Sequence, residues 1–412
     1  MRIAVLLFIV GFSIQAQSAI WRVGPALQLK TIHAALEKSS KGDTIIVTSG
    51  LYQEGNIRIG KSVVIIGEGE STVDGQNKFE VFTIESNNVT IRNLKITNTG
   101  VSSLSDLAAI GAENVRGLYI SNNVIDNAFF GIHLANCKTS TVENNILTSR
   151  SIDELHTGNG IHLWKCQSIT INNNKITKHR DGIYLEFVTD SFITNNVSED
   201  NLRYGLHFMF SHNDEYSGNT FKNNGAGIAV MYSRGVKMFR NHFMENWGST
   251  AFGLLLKEIS ESRIERNVFY KNTVAIYLEG CSRSHFSLNE FRENGFALKL
   301  QANCDDNVFE KNNFIANSFD LGTNGSMTLN TINKNYWDKY SGYDLNGDGL
   351  GDVPFHPVSM YAMIVEKMPT SIMLWRSFLV FLLDRTEKVI PVVTPENLRD
   401  DVPVMTSYDI NS

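Results

Sequence analysis

The chain has 412 residues, 37 Lys and Arg against 43 Asp and Glu, and a formal net charge of −6. That balance argues against nucleic acid as a partner, since such a domain would carry a basic face. The polar load sits in Asn: 40 of 42 Asn fall between Asn56 and Asn346, and no Pro occurs from Ala26 to Val353, which points to a regular array rather than an average globular domain.

In chain order, Arg2 precedes an apolar run over residues 3–14 and small or polar residues at 15–19. Residues 1–19 read as a secretory signal peptide, because about 12 apolar residues are too few to cross ~30 Å of hydrocarbon. The mature protein is then expected outside the cytoplasm, where disulfides can form. Residues 29–38 place Leu29, Ile32, Ala35 and Leu36 at helical spacing and are expected to plug one end. Strands are expected at Thr44-Ile-Ile-Val, Ile57-Arg-Ile and Ser62-Val-Val-Ile-Ile.

A repeat then takes over. A small residue followed by alternating apolar positions recurs at Gly131, Gly160, Gly182, Gly205, Gly227, Gly253, Ala275 and Ala297. A parallel register of Asn runs from Asn123 through Asn145, Asn174, Asn196, Asn219, Asn241, Asn267, Asn289 and Asn312 to Asn335. Most steps are 22 or 23 residues, and both registers share their long steps. Short alternating segments at this period cannot be helical, and one unit cannot bury its own apolar face. Stacked at ~4.8 Å per coil, the units can. The expected fold is all-β: a right-handed parallel β-helix of the pectin-lyase-like solenoid type, with an N-terminal helical cap and a C-terminal tail helix. Its domains would be a signal peptide (1–19), the β-helix with end caps (20–358) and a docking tail (359–412). Stacked Asn side chains are expected to hydrogen-bond from coil to coil and to serve left-handed turns.

Insertions are expected at residues 99–114, 148–158 and 244–251, the last carrying Trp247; such excursions are common binding elements. In each repeat strand the first and third residues after the small one face the core, so the second and fourth face out. The second column reads His133, His162, Tyr184, His207, Ala229, Leu255 and Tyr277. The fourth reads Ala135, Trp164, Glu186, Met209, Met231, Lys257 and Glu279. Met209 and Met231 fall one coil apart, with His207 on the same face and His212 in the next turn. Thioether plus imidazole suits copper(I), although an apolar patch that binds protein, or one covered by an insertion, gives the same pattern. Cys137 and Cys166, and Cys281 and Cys304, are one coil apart, within disulfide reach; disulfides and buried free thiols both remain open.

Asp344, Asn346, Asp348 and Asp352, with Gly349 at position 6, copy most of a calcium loop, but the bidentate Glu at position 12 is replaced by Phe355. An Asx-turn cap reads the same. Residues 371–384 are apolar nearly all round yet short and interrupted by Arg376, so they do not span a membrane. They must be covered, either by packing on the flank of the β-helix as a cap or by docking on a partner; for docking, Met373, Leu374, Trp375, Phe378 and Phe381, with Trp164 and Trp247, are the candidate partner contacts. A secreted polysaccharide lyase, hydrolase or epimerase is the alternative function. It needs paired carboxylates or a base beside Arg or Lys. Glu186 and Glu279 are four coils apart, so no catalytic pair is read.

Several stretches together resemble the NosD family: Arg203-Tyr-Gly-Leu-His-Phe-Met-Phe-Ser-His, Gly227-Ile-Ala-Val-Met-Tyr-Ser, Asn246-Trp-Gly with Gly253-Leu-Leu-Leu-Lys-Glu, and Asn335-Tyr-Trp-Asp-Lys-Tyr-Ser-Gly-Tyr-Asp-Leu-Asn-Gly-Asp-Gly. The resemblance implies a non-catalytic periplasmic accessory protein of nitrous oxide reductase maturation. It implies action with the permease and ATPase subunits of an ABC-type transporter at the inner membrane, with a copper chaperone and the reductase as partners, in assembling a copper–sulfur centre. On that basis the apolar tail is expected to dock on the permease.

Overall fold

A computed structural model describes residues 18–102, 104–150, 153–325, 329–375, 377–389, 395 and 398–410. Residues 1–17, most of the expected signal peptide, and Arg376 lie outside the described residues.

The alternating apolar segments form short strands, three to a coil. One coil runs Phe130–Ala135, Lys138–Glu143 and Ile146–Thr148. Like strands pair in parallel from coil to coil, building sheets of 14, 12 and 13 strands among the described residues. The 12-stranded sheet carries the repeat strands in the expected register. Ile132, Ile161, Ile183, Leu206 and Ile228 are successive Cα partners, and each is 0% exposed. Inside the 13-stranded sheet Phe221, Phe243, Phe269, Phe291, Phe314 and Trp337 stack ring on ring at 4.0–5.6 Å. The insertion before Phe252 is absorbed by a register shift at Gly227. Its φ is +76°, and a Cβ there would lie 1.5 Å from the Phe252 carbonyl oxygen, so only Gly fits.

The Asn column is a buried ladder. The backbone N–H and the side-chain amide of Asn123 both donate to Asn145 Oδ1 at 3.0 Å. The pattern climbs to Asn312, which donates twice to Asn335 Oδ1. The expected second role, the left-handed turn, falls instead on the residue just before: Asn122, Asn144, Asn173 and Asn195, then Arg240, Arg266, Leu288, Lys311 and Lys334 have φ of 52–56°. Arg, Leu and Lys tolerate that turn when the stack over-determines it. The ladder, not the turn, is therefore what demands Asn.

The N-terminal helix is Ile32–Lys38, three residues shorter than expected. Thr31 caps it, and the Glu54 carboxylate accepts from Ile32 and His33 N–H at 2.7 and 2.9 Å. Leu29 instead bridges Val23. At the far end, the expected docking tail divides into two structures. Helix Met360–Lys367 packs Tyr361, Ala362 and Val365 against Val274, Phe296 and Phe319 on the outside of the 12-stranded sheet, joined by Val380 from helix Phe378–Val389. Residues 398–410 return to the last coil. There Asp400 bridges Ile332 and Val404 bridges Tyr336, and Leu398 and Asp400 are 0% exposed. This part of the tail is a cap.

Candidate functional site

The outer face of the 12-stranded sheet holds three of the four predicted copper contacts, His207, Met209 and Met231, together with Trp164. Parallel register sets Met209 and Met231 as direct Cα partners, and both are half-buried. Trp164 and Glu186 continue the column below, and Lys257 and Glu279, an ion pair at 2.9 Å, close it above.

The second column is a ladder of rings. His133 stacks on His162 at 4.7 Å, His162 meets Tyr184 at 4.8 Å, and Tyr184 meets His207 at 4.8 Å. The expectation that this column is open to solvent is corrected at His207, which is only 8% exposed. Tyr184 and Tyr204 cover its ring, and its Nδ1 lies 3.4 Å from Asp181 Oδ2. Asp181 is buried and clamped by Arg203 Nε and Nη2 at 2.8 and 2.5 Å. Burial raises the Asp181 carboxyl pKa, but the Arg203 guanidinium and the His207 ring outweigh it and hold it below the ordinary value. A carboxylate pinned in this way is a positioning group, not a free general base.

His212 does not join the methionines. The chain turns a left-handed corner at Phe210, and His212 stands in the Thr189–His212–Arg234 column of the next sheet. Its Nδ1 accepts from Arg234 N–H at 3.2 Å. That corner carries a feature the sequence reading missed. Phe187, Phe210 and Tyr232 stack at 5.3 and 4.9 Å and are 37–44% exposed. Each directly follows Glu186, Met209 or Met231, so the columns themselves carried the signal.

Asp344, Asn346, Asp348 and Asp352 form one loop, but their oxygens are engaged by backbone amides. Asp344 accepts from Gly347, Asp348 and Gly349 N–H, Asn346 from Asp348 N–H, Asp348 from Leu350 N–H, and Asp352 from Leu345 N–H at 2.7 Å. This is an Asx-turn network, and Phe355 at position 12 packs on Trp337. All four Cys are buried free thiols, with Cys281 N–H 3.4 Å from Cys304 Sγ.

Among the expected partner contacts, Trp164 is 36% exposed with Lys165 Nζ over its ring at 4.2 Å, and Trp247 is 55% exposed. Trp375 packs on Phe319 at 4.8 Å. Met373, Leu374, Phe378 and Phe381 project from the surface, Met373 at 87% and Phe378 at 74% exposure. No helix among the described residues is long and apolar enough to cross a membrane.

Residues 148–347 match a family described as "Periplasmic copper-binding protein (NosD)". A "Probable ABC transporter binding protein NosD" of Stutzerimonas stutzeri is 28% identical over 120 residues, 28% of this chain and 28% of that protein. Its namesake in Pseudomonas aeruginosa is 30% identical over 120 residues, again 28% of each chain. The matched stretch thus spans less than a third of these relatives. The A-module of the Azotobacter vinelandii mannuronan C-5 epimerase AlgE6 superposes with a TM-score of 0.58 at 13% identity, over 71% of this chain and 89% of that one. At that identity the likeness shows the fold alone.

Proposed function

Taking the chain as a NosD-family parallel β-helix, we propose that it is a periplasmic accessory protein that accepts copper(I) on its outer face. The pairing of Met209 with Met231 carries this reading: two half-buried thioethers in neighbouring strands, within the matched stretch. Soft thioethers favour Cu(I) over hard cations. The exposed Phe187, Phe210 and Tyr232 stack beside them is a surface on which a copper chaperone can dock. In this reading the protein acts with an ABC-type transporter at the inner membrane in assembling the copper–sulfur centre of nitrous oxide reductase, and carries out no bond chemistry itself. The polysaccharide-enzyme alternative fits less well, because Asp181 is pinned by Arg203 and Glu279 is paired with Lys257.

Titration of the full chain with Cu(I) against a chromophoric chelator should reveal one site. Met209→Ala/Met231→Ala should weaken it at least tenfold, while His212→Ala leaves it unchanged. Wild-type affinity in the double variant rules out the methionine pair as the copper contact.

The exposed apolar surface of Met373, Leu374, Phe378 and Phe381 is the proposed contact with the permease. Met373→Glu/Phe378→Glu should lose co-purification with the transporter from membranes, with an unchanged melting curve because neither side chain is buried. Retained co-purification excludes this surface. A deletion from residue 368 onward would not separate the two roles, since it also removes the Asp400 cap.

A further inference from the structure

A second constellation lies on the same face, its two histidines two to four coils away from the methionines. Asp106, His133 and His162 offer one carboxylate oxygen and two imidazole nitrogens, all within 4.8 Å of one another. They come from three separate places: the insertion that precedes strand Ala108–Glu113, strand Phe130–Ala135 and strand Ile161–Trp164. His133 and His162 are direct register partners, and their rings lie 14° from parallel. Phe130 stands 5.9 and 5.6 Å from the two rings and walls one side. Asp106 is exposed, so a path to solvent remains. Both ring nitrogens of His162 are buried without a hydrogen-bond partner. A buried imidazole is normally satisfied by a carbonyl, a carboxylate or a metal ion.

We propose that Asp106, His133 and His162 bind a divalent transition ion of borderline hardness, Zn²⁺ or Cu²⁺, with a fourth position open. Two imidazoles and a carboxylate suit such an ion, whereas the thioether pair suits copper(I), so the site is independent of the Met209 and Met231 reading. Bonds of about 2.0–2.2 Å require the donors to approach within about 3.5 Å of one another. The stacked rings reach this by tilting, and Asp106 by movement of its insertion. Binding would tie the insertion to the solenoid face.

The test is Cu²⁺ titration of full-length, metal-free protein, read by electron paramagnetic resonance. One equivalent is expected, with superhyperfine coupling to two nitrogens and displacement by Zn²⁺. His162→Phe keeps the ring stack and should abolish the signal. Asp106→Asn, on an exposed segment, should weaken uptake at least tenfold, and decides the matter if the buried substitution unfolds the chain. Met209→Ala/Met231→Ala should leave the signal intact. No uptake by the wild type, coupling to fewer than two nitrogens, or unchanged uptake in Asp106→Asn overturns the proposal.

Discussion

Asp400→Ala is expected to lower the stability of the C-terminal coils by about 3–5 kcal/mol. The Asn ladder has a direction: every rung donates twice to the rung above. The last rung, Asn335, needs an acceptor with no rung beyond it, and Asp400 supplies one. Its Oδ2 accepts from Asn335 N–H at 2.8 Å, Asn335 Nδ2 at 3.1 Å and Trp337 Nε1 at 3.1 Å, and its Oδ1 from Lys334 N–H at 3.0 Å. The carboxylate is fully buried, so removing it leaves Asn335 N–H and Trp337 Nε1 without an acceptor away from water and also frees Lys334 N–H, while Asn335 Nδ2 keeps the Phe309 and Asn333 carbonyls. Because each coil of a solenoid contacts only its neighbours, the loss should concentrate at the open end. Hydrogen exchange across strands Leu329–Asn333 and Tyr336–Trp337 should accelerate more than exchange in the central coils. Asp400→Asn retains one acceptor oxygen and should lose less. A loss under about 1 kcal/mol in Asp400→Ala would mean that the returning segment does not cap the ladder.

Asp214→Asn should raise stability, and the gain should grow with pH. Asp214 is 0% exposed; its Oδ1 accepts from Ser191 N–H at 2.7 Å, while its Oδ2 has no partner. Burial, unrelieved by any cation, pushes its pKa up to about 8, against 3.8 for the ordinary group. The folded pKa thus lies above the unfolded one. The native state holds a proton that the unfolded state has released, so the stabilising contribution is complete below about pH 4 and is lost as pH rises to about 8. Between pH 5 and pH 8 the wild type should lose up to about 4 kcal/mol from this group, at 1.36 kcal/mol per pH unit. Asp320, pushed up to about 6, titrates in both proteins and cancels in the difference. Urea unfolding of both proteins at pH 5 and pH 8 measures it. Equal differences at the two pH values would show that Asp214 is hydrated and ionised in the fold.

The two halves of the tail show where pattern reading stops. Residues 371–384 were recognisable as apolar surface in need of cover, and the exposed Met373 and Phe378 keep that need open. Residues 398–410 carry no periodic signal, since their role depends on one carboxylate reaching a ladder 65 residues away. His207 teaches the same lesson on the site face. Alternation placed it outward, but alternation is silent on what covers an outward side chain. Tyr204 and the Arg203–Asp181 clamp supply the cover here. In the loop of Asp344 to Asp352 the spacing reads equally as cation ligands or as Asx turns, and the structure displays the Asx-turn bonds.

The stacking, the register and the identity of the core columns were determined by the sequence alone. Each coil repeats the same short pattern, and a period of two allows only one set of side chains to point inward. The pairing of Met209 with Met231 follows from the same repeat. Only the tertiary structure decided which outward residues stay open, that His212 lies around a corner, that Asp106 from a non-repeating insertion meets His133 and His162, and that Asp400 ends the ladder. Those outcomes depend on corners, insertions and a returning terminus, whose paths are set by long-range packing rather than by any spacing along the chain.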